Sequence, residues 1–138
     1  MSSTSKTAST ACPCGSGASY TNCCQRYHAG TPAPNAEALM RSRYTAFVFR
    51  LEDYLRQSWH PDTCPAELHL DEEPAPQWLG LEVKKHQTQD ADHATVEFVA
   101  RFRIQGRGQR LHEISRFVRQ DGHWRYLDGD FPEKSKKQ

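Results

Sequence analysis

The stretch HATVEFVARFRI, residues 93–104, decides the fold. Val96, Phe98, Ala100, Phe102 and Ile104 fall on one side of an extended chain, and Thr95, Glu97, Val99, Arg101 and Arg103 on the other. A repeat of two belongs to a β-strand, because successive side chains of a strand point to opposite faces. Upstream, WLGLEVKKHQT (78–88) places Leu79, Leu81 and Val83 in the same alternation. Downstream, RLHEISRFV (110–118) and HWRYLDGDF (123–131) continue the run. Turn signals at TQDAD (88–92), QGRGQ (105–109) and RQDGHW (119–124) separate the four segments, so they are expected to follow one another as antiparallel hairpins.

Before the strands the period changes. Asn35 is a good helix N-cap, and AEALMRSRYTAFVF (36–49) sets Leu39, Arg43 and Phe47, with Met40 and Tyr44, at spacings of three and four. RLEDYLRQSWHP (50–61) continues with Leu51, Tyr54, Leu55 and Trp59 as a second, angled helix, expected to stop at His60 because Pro61 disfavours helix in the residue before it. CPAELHL (64–70) reads as a short helical turn and DEEPAPQ (71–77) as a loop. Helices followed by long antiparallel strands make an α+β plan. A curved sheet wrapped round the helix pair forms a cone with a pocket at its mouth.

The bulk numbers fit one such domain plus an appendage. The chain has 138 residues, 36% of them hydrophobic, a formal net charge of +1 and a pI near 7.7. That balance does not favour a general polyanion binder, and nucleic acid or ribosome contact through a local patch stays the weakest of the readings. No apolar run approaches the length of a membrane span, and the first residues, MSSTSKTAST, lack the apolar core of a secretory signal. A cytoplasmic, non-membrane protein is expected. Residues 1–10 read as a disordered leader and 132–138 as a basic tail. The Gly- and Pro-bearing HAGTPAPNAE (28–37) puts a domain boundary near residue 34, so that 11–34 form an N-terminal unit and 35–131 the main domain.

The N-terminal unit carries the plainest chemistry. ACPCGSGASYTNCCQRYH (11–28) holds Cys12, Cys14, Cys23 and Cys24. Gly15, Ser16 and Gly17 supply the reversal that brings the two pairs together. Disulfides within either pair would be strained, the Cys-x-x-Cys spacing of thiol redox chemistry is absent, and a reducing compartment keeps thiols free. Four thiolates, or three with His28, fit a tetrahedral structural Zn²⁺ site with no open position for catalysis. A segment this small cannot bury a core of its own, so metal ligation also explains how it folds. The fifth cysteine, Cys64, reads as a loop thiol.

With its Gly-Ser-Gly turn, CPCGSGASYTNCC resembles the SEC-C motif, a zinc-binding module also found at the C-terminus of the SecA translocation ATPase. The resemblance implies zinc on Cys12, Cys14 and Cys23, with the fourth ligand from Cys24, where related modules can have His. The whole chain is similar to the YchJ-like family (UPF0225), in which a SEC-C motif precedes a domain of NTF2-like fold. LMRSRYTAF, DYL followed by WHP, WLGLEV, VEFVARF, LHEISRF and WRYLDGD carry that similarity. It implies an NTF2-like cone, a zinc knuckle and, through the outer sheet face, homodimerisation. It implies no particular activity.

LHEISRFV remains to be explained. His112 and Arg116 share one face with Ile114 and Val118, while Glu113 and Ser115 share the other with Leu111 and Phe117, so neither face is cleanly apolar. Ionisable groups in such a strand must pair, face water or line a wet cavity. The expected pocket candidates are Arg41, Tyr44, Trp59, His60, His112, Arg116 and Trp124. They would bind a small ligand, or else pair off as a structural network. The expected function is that of a non-catalytic adaptor, with a protein partner at the zinc knuckle and a ligand or second protein at the cone. The alternative is an enzyme of isomerase or hydrolase type acting on a small polar substrate, with His112 and Glu113 as the acid–base pair.

Overall fold

The computed structural model describes residues 10–132; the expected leader and the expected basic tail lie almost wholly outside them. Three helices precede the sheet: α1 at Cys24–His28, α2 at Ala36–Phe49 and α3 at Glu52–Gln57. The strands are β1 at Gln77–Asp90, β2 at His93–Ile104, β3 at Arg107–Gln120 and β4 at His123–Asp130, paired antiparallel in the order β1-β2-β3-β4. This is an α+β fold in which helices fill the hollow of one curved sheet.

Local chemistry sets the element ends. The Asn35 side chain accepts a hydrogen bond from the Ala38 amide at 2.8 Å and caps α2, with Glu37 in the first turn. Between β3 and β4, Asp121 and Gly122 both take positive φ, as a two-residue hairpin turn of the right twist requires. Register shifts in β1 and opposite Arg116/Phe117 bend the sheet, as bulges do.

The core lies between α2 and the concave face. Leu39, Met40 and Tyr44 meet Val96, Phe98, Ala100 and Phe117, all nearly inaccessible to solvent. Burying each large side chain contributes about 1.5–3 kcal/mol. Cys12, Cys14, Cys23, Cys24 and Tyr27 belong to the same cluster, and Ala33, in the strap leading to α2, packs with them. The N-terminal unit is therefore docked into the main core.

Three local expectations are corrected. The alternation of Leu79, Leu81 and Val83 breaks at a bulge: Trp78 pairs with Phe102 and Gly80 with Arg101, leaving Leu79 as the extra residue. The inward set is Trp78, Leu81 and Val83, while Leu79 is 48% exposed. α3 ends at Gln57 rather than His60, because residues 58–60 lie along β4 in a parallel bridge. The Tyr126 amide donates to the Ser58 carbonyl and the His60 amide to the Tyr126 carbonyl, each at 2.8 Å. Residues 64–70 form no helical element, since Arg56 donates to the carbonyls of Pro65 and Ala66 that a helical turn would use.

Candidate functional site

The four N-terminal thiols converge. The Sγ atoms of Cys12, Cys14, Cys23 and Cys24, all buried, lie within 4.8 Å of one another, with Cys14–Cys23 at 3.6 Å and Cys23–Cys24 at 4.0 Å. A disulfide has sulfurs about 2 Å apart, and all four cysteines are free. A metal at about 2.3 Å from each of four tetrahedral sulfurs sets them roughly 3.8 Å apart, close to the Cys14–Cys23 and Cys23–Cys24 separations.

The sequence builds this geometry in two arms. In the first, the Cys12 amide donates to Ala18 O and the Gly15 amide to Cys12 O, while Gly15 and Gly17 take positive φ to close the loop. In the second, a 3-10 turn at Tyr20–Asn22 leads directly into α1 and presents Cys23 and Cys24 side by side. The surrounding shell is polar and ordered. Thr45 Oγ1 donates to Cys24 Sγ at 3.4 Å, Ser16 Oγ lies 3.1 Å from Cys23 Sγ, and Arg41 Nη1 donates to Cys14 O at 2.7 Å. Such contacts orient metal ligands.

Hydrogen bonding and burial set the thiols apart. Cys14, receiving hydrogen bonds from Cys24 and also from Ser16, is pushed down to about 4. Cys24 is pushed far above the usual thiol range by its bond to Cys14 and by burial, and Cys23 is raised by burial. A second and third thiolate in this space require a cation, so the donor set fits a metal ion. His28 stands apart from the cluster. Its Nε2 donates to Ser42 O at 2.8 Å, its Nδ1 accepts from Tyr20 Oη at 2.7 Å, and burial holds it below its ordinary value.

The second feature is a cavity of about 240 Å³ between α2 and the concave sheet face. Its wall is largely aromatic, with Tyr44, Phe47, Trp59, Trp78, Phe98 and Phe117. Four polar side chains reach it: Arg43, Glu113, Ser115 and Tyr126. Glu113 Oε2 accepts from Tyr126 Oη at 2.6 Å and from Ser115 Oγ at 2.9 Å. Burial, and then the neighbouring Glu113, pushes Tyr126 up, so it remains a hydrogen-bond donor. Arg43 lies between the rings of Trp59 and Tyr126, 4.6 and 4.8 Å from their centroids. Its Nη1 donates to Leu55 O and Ser58 Oγ.

The other pocket candidates divide sharply. Tyr44 and Trp59 line the cavity; Arg41, His60, His112, Arg116 and Trp124 do not. Arg41 pairs with Glu37 and serves the cysteine loop. His60 accepts from the Asp62 amide in the following turn. Trp124 is buried beside a second cavity that also contains Tyr27 and Leu39. Arg116 spans to Asp128 and Asp130 on β4, at 2.6 and 2.8 Å. His112 contacts Glu97 at 2.7 Å on the convex face. Because neighbours along a strand point opposite ways, His112 and Glu113 lie on different faces and cannot act as one acid–base pair. Arg43, Tyr126 and Trp78 were missed as cavity residues. The available signal was Arg43 itself, an arginine on the apolar stripe of α2.

Two family models match this architecture. One, described as the YchJ middle NTF2-like domain, matches residues 35–129, and the SEC-C motif matches 9–26. The chain belongs to the YchJ-like family, UPF0225. A UPF0225 protein of Cupriavidus pinatubonensis is 58% identical over 128 residues, 88% of each chain. One from Ralstonia nicotianae is 56% identical over 131 residues, 87% of this chain and 90% of its own. The solution structure of a SEC-C motif containing protein from Rhodopseudomonas palustris is similar, with a TM-score of 0.78 and 34% identity over 87% of this chain and 97% of the other. A crystal structure of a SEC-C motif containing protein from Psychrobacter arcticus has a TM-score of 0.76 and 31% identity, covering 89% and 83%. The NTF2-like match spans the residues that line the cavity, and the SEC-C match spans the four cysteines.

Proposed function

We propose that this UPF0225 protein is a non-catalytic, zinc-braced binding protein of the cytoplasm whose cone holds a small, mainly apolar ligand. The observation that carries the reading is the cavity itself: an aromatic wall enclosing a few polar groups, the usual make-up of a small-molecule site. An apolar cavity of about 150 Å³ takes benzene, so 240 Å³ suits two fused rings. Zinc is the metal the four-sulfur donor set favours, and the closed set leaves it no vacant position for chemistry. Free thiols suit a reducing compartment, and no helix among the described residues is long and apolar enough to cross a membrane.

Titration of the metal-loaded protein with naphthalene tests the binding role, because Trp59 and Trp78 report from the cavity wall. Saturable quenching of tryptophan fluorescence at one molecule per chain is expected. It should be lost when Ala100→Phe fills the space. Quenching that never saturates would rule the role out.

A protein partner at the knuckle is a second role, favoured by the exposure of Asn22, Gln25 and Arg26 beside the metal centre. Arg26 is held in place by bonds to Cys23 O and Tyr27 Oη. The larger aromatics of the knuckle turn inward: Tyr27 is buried, and Tyr20 packs edge-on against Phe49 at 5.1 Å. Arg26→Glu should abolish partner capture without loss of metal. Capture that persisted would remove this role.

A further inference from the structure

The polar end of the cavity is incompletely paired. Arg43 is 6% exposed, yet all its hydrogen bonds among the described residues come from Nη1, leaving Nε and Nη2 unused. Trp59 Nε1 is buried without a partner. Glu113, also 6% exposed, accepts twice at Oε2 and not at Oε1. Arg43 and Glu113 line the same cavity. Trp59 Nε1 is the costly one, because it has given up water without a replacement. Buried groups left this way mark where a ligand completes the network.

We infer that the cavity selects an uncharged, planar, lactam- or amide-type ligand whose carbonyl accepts from Trp59 Nε1 or Arg43 and whose N–H donates to Glu113. The inference rests on the binding role proposed above and gives it a ligand class. The neutrality follows from charge. A guanidinium and a carboxyl already share the cavity, so a further charge would be buried without a counterpart. Burial pushes Arg43 down only to about 10, and it remains a cation at neutral pH. The planarity follows from the wall of aromatic rings, and the two-ring limit from the volume of about 240 Å³. Gly129 makes room for the acceptor: a methyl group there would overlap the Glu113 carboxylate.

The test compares four two-ring probes by calorimetry on the full-length, metal-loaded chain. They are 2-quinolone, with donor and acceptor on one edge; quinoline, with an acceptor alone; naphthalene, with neither; and 2-naphthoate, an anion. The expected order places 2-quinolone tightest, by about tenfold over naphthalene, as a hydrogen bond to a carboxylate implies. Glu113→Gln preserves shape, and there the quinolone advantage should shrink while naphthalene binding holds. Trp59→Phe removes the indole donor together with part of the wall, so there the readout is the quinolone advantage over naphthalene, which should shrink. In Glu113→Gln the amide faces the ligand with N–H once its oxygen takes Tyr126, so quinoline should gain. If naphthalene binds as tightly as 2-quinolone, or 2-naphthoate binds tightest, the lactam inference is overturned and the binding role survives. If no probe binds, the binding role itself is overturned.

Discussion

The cysteine centre and the cone cavity sit on opposite flanks of α2, and they treat their polar atoms in opposite ways. At the cysteine centre four soft donors face one another at metal-binding distances, and Thr45, Ser16 and Arg41 close the shell round them. In the cavity Arg43, Trp59 and Glu113 each keep a polar atom unused. A saturated donor set holds a structure together, while an unsaturated one waits for a partner. α2 joins them: Thr45 and Arg41 serve the cysteines, and Arg43, Tyr44 and Phe47 line the cavity.

The strongest way to break this contrast is Cys14→Ser. Structural zinc contributes on the order of 10–16 kcal/mol of apparent binding energy, and the cysteines belong to the common core. The variant should lose its metal, and its melting temperature should fall by about 10 °C or more, read by metal analysis and calorimetry. Chelation of the wild type should have the same effect. If the metal leaves and the melting temperature holds, the knuckle does not brace the cone. Gly129→Ala acts on the other side of the contrast. The added methyl drives Glu113 away from Tyr126, which should cost about 1–3 kcal/mol in urea denaturation and leave the metal content unchanged.

A smaller effect concerns His28, at the end of α1. Burial holds its folded value below the ordinary 6.5, so the unfolded chain binds a proton that the folded chain refuses. Its contribution to stability is whole above about pH 6.5 and is lost as the pH falls below that value. His28→Gln should flatten this part of the stability–pH profile, measured by denaturant midpoints between pH 5 and 8. An unchanged slope would show that the acid sensitivity arises elsewhere. Least of all should follow from Arg116→Ala on the convex face. Its partners Asp128 and Asp130 are well exposed, so the loss should stay below about 1 kcal/mol with 2-quinolone affinity unaltered. A tenfold loss of affinity would place Arg116 in the ligand site after all.

The strands, their order and the α2 helix could be read from the sequence because each follows a local period that one covered face imposes. The cysteine pairs were readable for a related reason, since two close pairs separated by a glycine turn have few ways to meet. Leu79 was misplaced because a single bulge reverses the alternation and leaves no mark in composition. The local period carries Trp59 and His60 into a helix because their pairing with β4 is a contact across about half the chain. The alternation in LHEISRFV shows two mixed faces, but which of them closes over a cavity depends on the sheet's curvature. His112 and Arg116 turned outward to Glu97, Asp128 and Asp130, while Glu113 and Ser115 turned in. Arg43 was hidden by its own type, since a charged residue on an apolar stripe is more readily read as a surface cation with a buried stem.

One measurement reaches both halves of the contrast at once: X-ray absorption at the zinc edge of the purified protein, recorded before and after saturation with 2-quinolone. A shell of four sulfurs at about 2.3 Å, unchanged by the ligand, is the expected result. A nitrogen or oxygen in the shell, or a shell that changes as the ligand binds, would contradict a closed centre set apart from an open cavity.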